Sequence, residues 1–167
     1  MTQRESGRGS GSLLHLWRIS EHSNLSGLGA EFSSARWHTE AEGKRLVYLS
    51  EATASAILEV LVNLEAEEGD FPSTYQLLGV STLRPLKVLS IERNAHTDED
   101  LPAKEETQAL GDAWLASGES ALARVPAAVA PYTWNYLLNP KHPDAAHVKI
   151  TSQRRLPFDP RLFHVRS

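Results

Sequence analysis

Apolar and polar positions along the chain mark out several short apolar runs and two longer stretches of helical period. "LLHLWRIS", Leu13–Ser20, reads as a strand that carries Arg18. The Gly-, Ser- and Asn-rich "EHSNLSGLGAEFSS" that follows reads as a loop. After the polar run His38–Arg45, Leu46-Val47-Tyr48-Leu49 predicts a short buried strand, with Ser50 placed to cap the next helix. That helix, "TASAILEVLVNLEAEE" (Thr53–Glu68), offers Ala54, Ile57, Leu58, Leu61, Val62 and Leu64 as its apolar face. Glu59 lies within this apolar stretch, and Ser55 sits four residues earlier on the same side. "TYQLLGVSTL" and "LKVLSIE" predict two strands, and "KEETQALGDAWLASGES" a second helix with Leu110, Trp114 and Leu115 inward. "ALARVPAAVAP" and "HVKITS" are further strands, and the proline-bearing "TWNYLLNPKHPD" between them reads as a loop. The pattern predicts one mixed α+β domain in which strands outnumber helices.

Composition narrows this picture without redirecting it. A chain of 167 residues suits a single domain with a real core, and "GRGSGS" marks residues 1–12 as a flexible leader ahead of a domain spanning 13–167. A net charge of −4 argues against a dedicated nucleic-acid binder, which carries a basic surplus. No apolar run is long enough to span a bilayer and no signal-peptide core is present, so a cytoplasmic protein is expected. The absence of cysteine removes disulfides, thiolate nucleophiles and cysteine-ligated zinc.

Three familiar chemistries fail on their motifs. His142 and His147 in "HPDAAH" lie in a proline-containing loop without a helical ligand pair, so no metal is expected. Gly27 and Gly29 in "SGLG" precede neither a lysine nor a helix start, and a lone Gly-x-Gly is a weak phosphate signal. "GRGSG", residues 7–11, mimics a nucleophile elbow but follows no strand.

What remains is Arg18, Arg36, Tyr48 and Glu59, in that order. Arginines at strand ends suit a pyrophosphate through bidentate, charge-assisted hydrogen bonds. A tyrosine on a neighbouring strand offers a face for stacking a heterocycle. A carboxylate in an apolar helix face is costly unless it is paired, hydrogen-bonded or turned to a cleft. Spacing alone favours a plainer alternative, in which Arg18 or Arg36 ion-pairs with Glu59 and Tyr48 is core.

Several of these segments together resemble one family. "LWRIS", "ARWHTEAEGKRLVYLS", "AILEVLVNLE", "RVPAAVAPYTWNYLLNPKHPD" and "DPRLF" occur in the order seen in RES-domain proteins, from about Leu14 to Phe163. These are toxins encoded beside Xre-type antitoxins in bacterial toxin–antitoxin systems. The resemblance implies an ADP-ribosyltransferase-like fold whose split, strand-rich core holds NAD as substrate, with no metal. It implies cleavage of the nicotinamide–ribose bond and transfer of ADP-ribose to phosphate or water, depleting NAD. The alternative within the family is mono-ADP-ribosylation of a metabolic enzyme, and a further one is an inactive domain that only binds its antitoxin.

The resemblance also implies roles for particular residues. The family's Gly-Arg-Trp motif falls on Ala35-Arg36-Trp37, and its glutamate on Glu59. Glu59 would stabilise positive charge on the ribose, Tyr48 would stack on nicotinamide, and Arg18 and Arg36 would hold the phosphates. Asn135 and Ser55 would add polar contacts. The family's serine, in Val-Pro-Ser-Ala-Val, is replaced by Ala127 in Val125-Pro126-Ala127-Ala128-Val129, a departure that puts full activity in doubt. Ser120, seven positions away, is no substitute. The expected partner is a helix-turn-helix antitoxin of the Xre type that covers the NAD cleft and binds DNA in the toxin's place.

Overall fold

The computed structural model describes residues 12–64, 73–91, 103–156 and 158–163. The expected leader, apart from Ser12, and the far end of the first predicted helix, from Glu65 onward, lie outside them. The strands are β1 (His15–Ser20), β2 (Val47–Ser50), β3 (Gln76–Thr82), β4 (Val88–Ser90), β5 (Leu122–Pro126), β6 (Trp134–Leu138) and β7 (Val148–Arg155). Two α-helices accompany them, α1 (Thr53–Asn63) and α2 (Lys104–Ser117). The seven strands form one sheet in the order β4-β5-β6-β2-β1-β3-β7, antiparallel except for the β4–β5 pair. The expected α+β class is the observed one.

Neighbouring strands pair along much of their length except at the centre. β1 and β3 pair over six positions, from His15 opposite Ser81 to Ser20 opposite Gln76, and β2 and β6 over four. β1 and β2 instead meet at a single position, Trp17 opposite Ser50. The sheet is therefore two halves joined at a seam, β1-β3-β7 on one side and β2-β6-β5-β4 on the other. Helix α1 packs on both β1 and β2 and so spans the seam.

The two-residue period of β2 builds two cores at once. Val47 and Leu49 enter one cluster with Leu16, Leu78, Val80, Leu122, Tyr136 and Leu138. Tyr48, on the other face, packs against a cluster of Trp37, Ala123, Val125, Leu137 and, from α2, Trp114. Fully buried leucines and valines of this kind each contribute roughly 1.5–3 kcal/mol. Trp114 buries its indole and still satisfies it, donating from Nε1 to Ser120 Oγ, which in turn donates to the Leu122 carbonyl. Ser120 thus serves the Trp114 indole and the β5 backbone.

Three expectations are corrected. "TWNYLLNP" holds β6 and is not a loop; Asn135, Tyr136, Leu137 and Leu138 are all buried, and a strand buried on both faces shows no alternation. Ser50 caps nothing: it ends β2, and Ala52 occupies the α1 N-cap without a side-chain hydrogen bond. The inward face of α1 carries the buried Ser55 and Ala56, whereas Ala54, Leu58 and Val62 of the expected apolar face are exposed. The seam brings α1 close to the strands, and only small side chains fit beneath it.

Candidate active site

A cleft of about 760 Å³ opens at the seam. Arg18 from β1, Tyr48 from β2, Glu59 from α1 and Asn135 from β6 line it, together with Arg36 from the loop before β2. Five of the seven residues singled out in the sequence therefore meet in one place. Ser55 and Ala127 do not reach the lining. Ser55 is buried under α1 with its hydroxyl 3.4 Å from Thr133 Oγ1. Ala127 is buried at the end of β5, its N–H donating to the Thr133 carbonyl, and the next two residues, Ala128 and Val129, form the wall.

Glu59 is held by a polar chain that starts on the sheet. Ser50 and Asn135 face each other across β2 and β6. The Ser50 hydroxyl donates to Asn135 Oδ1 at 3.0 Å, which orients the amide so that Nδ2 donates to Glu59 Oε1 at 2.8 Å. An amide that donates to a carboxylate fixes its direction. Ser50 belongs to this site although sequence assigned it elsewhere; its register opposite Asn135 is the signal, and that register needs β6 to be recognised.

Arg18 is enclosed. One guanidinium nitrogen donates to the Tyr48 carbonyl at 3.3 Å, while Nε is buried and finds no acceptor among the described residues. Burial lowers the pKa of the group. A buried donor without a partner costs about 1–3 kcal/mol, a cost that an anionic ligand in the cleft relieves. This under-satisfied guanidinium is the observation that makes the cleft fit a phosphate-bearing substrate. The expected alternative of an Arg18–Glu59 ion pair is not formed: Asn135 holds the Glu59 carboxylate, and Arg18 turns to the strand backbone.

Arg36 and Trp37 form the tip of a two-residue turn closed by the bridge between Ala35 and His38. Helix α2 supports this turn from below. Thr107 Oγ1 donates to the Arg36 carbonyl at 2.6 Å, and Gln108 Nε2 to the Ala35 carbonyl at 2.9 Å. Gly111 allows the close approach, because a Cβ there would stand 1.9 Å from the Trp37 carbonyl oxygen. One turn further on, Asp112 takes the Thr39 hydroxyl and the Lys44 ammonium, the latter at 2.7 Å. Burial pushes the Asp112 pKa up, but the hydrogen bonds from Lys44 and Thr39 outweigh it and hold the group below its usual range. None of these α2 residues was singled out in the sequence, and their helical spacing gives no sign of the turn they carry.

Tyr48 is both core and cleft. Its ring packs on the second cluster and its hydroxyl lies 2.8 Å from His38 Nδ1 and 3.2 Å from the Trp37 N–H. Burial raises its pKa well beyond the usual phenol range, so it stays protonated. Lys104 and Tyr75 extend the lining beyond the sequence-derived set.

His142 Nδ1 accepts the Asp144 N–H at the head of a short 3₁₀ helix, Pro143–His147, and Asp144 pairs with Arg84. Among the described residues no cluster of His, Asp or Glu could hold a metal ion, and no helix is long and apolar enough to cross a membrane. Gly27, at φ 66°, leads into a 3₁₀ turn (Leu28–Glu31), and the "GRGSG" segment lies outside the described residues.

Known proteins resemble this chain in sequence and in fold. Residues 15–159 match the RES domain family. The chain is 40% identical over 151 residues to "Toxin Res" of Pseudomonas putida, covering 89% of this chain and 99% of that one. It is 32% identical over 159 residues to "Prs ADP-ribosylating toxin" of a Sphingobium species, covering 87% and 94%. Its fold is similar to a chain of the Mycobacterium tuberculosis MbcT–MbcA toxin–antitoxin complex, at a TM-score of 0.67 and 17% identity over 92% of this chain and 88% of that one.

Proposed function

The chain belongs to the RES domain family, and from that premise we propose that it is the toxin of a toxin–antitoxin pair that breaks the nicotinamide–ribose bond of NAD. The observation that carries the proposal is Glu59, held by Asn135 at 2.8 Å in a cleft whose other walls supply Arg18, Arg36 and Tyr48. The two arginines bind the pyrophosphate, and the Tyr48 ring takes the nicotinamide. As the ribose C1–N bond breaks, its electron pair passes to the ring nitrogen, which loses its positive charge, and the ribose becomes oxocarbenium-like. The Glu59 carboxylate faces that developing charge and lowers its energy. An acceptor oxygen then bonds to C1; with water, its proton is released to solvent, and with phosphate, an anionic oxygen attacks directly.

Phosphate or water as acceptor is the reading preferred here. A protein acceptor is the second reading, favoured by the name of the Sphingobium relative, "Prs ADP-ribosylating toxin". An inactive domain that only docks its antitoxin is the third, and Ala127 at the family's serine position is the residue that supports it. The partner proposed for all three is an Xre-type helix-turn-helix antitoxin that covers the cleft in the cytoplasm and binds DNA itself. Incubating the purified chain with NAD, with and without phosphate, and weighing the products separates these readings. Free ADP-ribose or its phosphorylated form supports the first, a mass-shifted protein the second, and unconsumed NAD the third.

A further inference from the structure

We infer that His38 is a positioning residue for Tyr48: it fixes the phenol by its hydroxyl, ties the Arg36 turn to strand β2, and leaves only the tyrosine's ring face for the ligand. The inference deepens the reading of the cleft given above and rests on it for the identity of that ligand.

The protons of this cluster can be assigned from geometry. His38 is 3% exposed and closes the turn whose tip is Arg36-Trp37. Its Nε2 lies 2.8 Å from the Ser33 carbonyl, and a carbonyl only accepts, so Nε2 carries the hydrogen. Burial lowers the pKa of the ring and favours its neutral form, which leaves Nδ1 bare. Nδ1 is 2.8 Å from the Tyr48 oxygen and therefore accepts the phenolic proton. The Trp37 N–H completes the set by donating to the same oxygen at 3.2 Å. The Tyr48 hydroxyl is thus fully committed within the protein.

Two consequences follow. Tyr48 neither donates its proton to a ligand nor acts as an acid or base, and its contribution is the orientation of its ring. That orientation and the position of Arg36 are set by the same imidazole, since His38 is held at one nitrogen by Ser33 and at the other by β2. Nicotinamide stacking and phosphate binding are thereby aligned through one side chain that touches neither.

The test combines spectroscopy with a double-mutant cycle on the full chain. In the ring ¹⁵N spectrum of the unliganded protein at pH 7.5, His38 should show the neutral tautomer protonated at Nε2; protonation at Nδ1 overturns the inference. His38→Phe should shift the Tyr48 ¹³Cζ resonance and raise KM for NAD about tenfold, the scale of one lost hydrogen bond. His38→Asn, which places an acceptor oxygen near the position of Nδ1, should recover most of that loss. In a Tyr48→Phe background His38→Phe should change KM by less than about twofold, because the hydrogen bond is already absent. Equal effects in both backgrounds, or an unmoved Tyr48 resonance, overturn the positioning role. A chain that shows the tautomer and the resonance shift yet turns over no NAD refutes the function proposed for the cleft and upholds the coupling of His38 to Tyr48.

Discussion

Replacing Asn135 by aspartate changes the cleft by little more than one amide group, yet it should abolish the environment on which Glu59 depends. The side chains are nearly isosteric, so packing in β6 is kept. The donor 2.8 Å from Glu59 Oε1 becomes a second carboxylate oxygen. Two unit charges at that separation repel by about 6 kcal/mol at an effective dielectric of about 20. The cleft is open to water, and halving the figure for screening leaves about 3 kcal/mol, or roughly two pH units of displaced titration. The pair therefore holds one shared proton to about two pH units above the ordinary carboxylate range, as close carboxylate pairs do. In mildly acidic solution Glu59 then shares that proton, and NAD turnover falls. Because the shared proton leaves as pH rises, the Asn135→Asp enzyme should recover between about pH 5 and 7, and the parent should not show this rise. The assay is NAD loss against pH for the parent, Asn135→Asp and Asn135→Ala, since the alanine removes the donor without adding a charge. An Asn135→Asp profile parallel to that of Asn135→Ala refutes the reasoning.

Four further outcomes are expected. Glu59→Gln keeps the size of the side chain but not its charge and should slow NAD turnover by about 10²-fold or more, with NAD affinity by calorimetry largely retained. Ala127→Ser restores the family's residue and should raise NAD consumption with the melting temperature nearly unchanged; equal rates side by side would show that this position limits nothing. Gly111→Ala forces the Trp37 carbonyl away from α2 and should cost about 1–3 kcal/mol in denaturant unfolding, with weaker NAD binding as the Arg36 turn shifts. His38 has a lowered pKa in the folded chain, so the unfolded chain takes up the proton first as pH falls below about 6.5, and stability should decline there. Lys44 and Asp112 are the charges that act on His38, the first lowering and the second raising its pKa, and His38→Asn should flatten this part of the melting profile.

The sequence exposes those parts of this protein that depend on local pattern. β1, β3 and β5 are short apolar runs and lie where such runs predict them. Arg18, Arg36, Tyr48 and Glu59 stand out as candidate chemistry because charged and aromatic groups beside apolar runs need a purpose; the family resemblance supplied one and added Asn135. β6 was hidden because burial on both faces erases its period, and Pro140 and Pro143, which follow it, spoke for a loop. The exposed side of α1 was misassigned for a related reason: the helix is apolar nearly all round, and only the narrow space at the seam selects Ser55 and Ala56 as its inner residues. Ser50, His38 and the α2 residues escaped because their roles are relations between distant segments. Thr107 and Arg36 lie 71 positions apart, and Ser50 and Asn135 lie 85 apart.

The seam also sets when a newly made chain first acquires its complete cleft. β2 must wait for β6, and Asn135, which holds Glu59, arrives only with that strand. Until β6 has been made, Arg18, Tyr48 and Glu59 have been synthesised but have no complete cleft to share. Such long-range pairings form slowly compared with local ones. A ribosome stalled before β6, or a protease that removes that strand, thus leaves Glu59 without the amide that holds it.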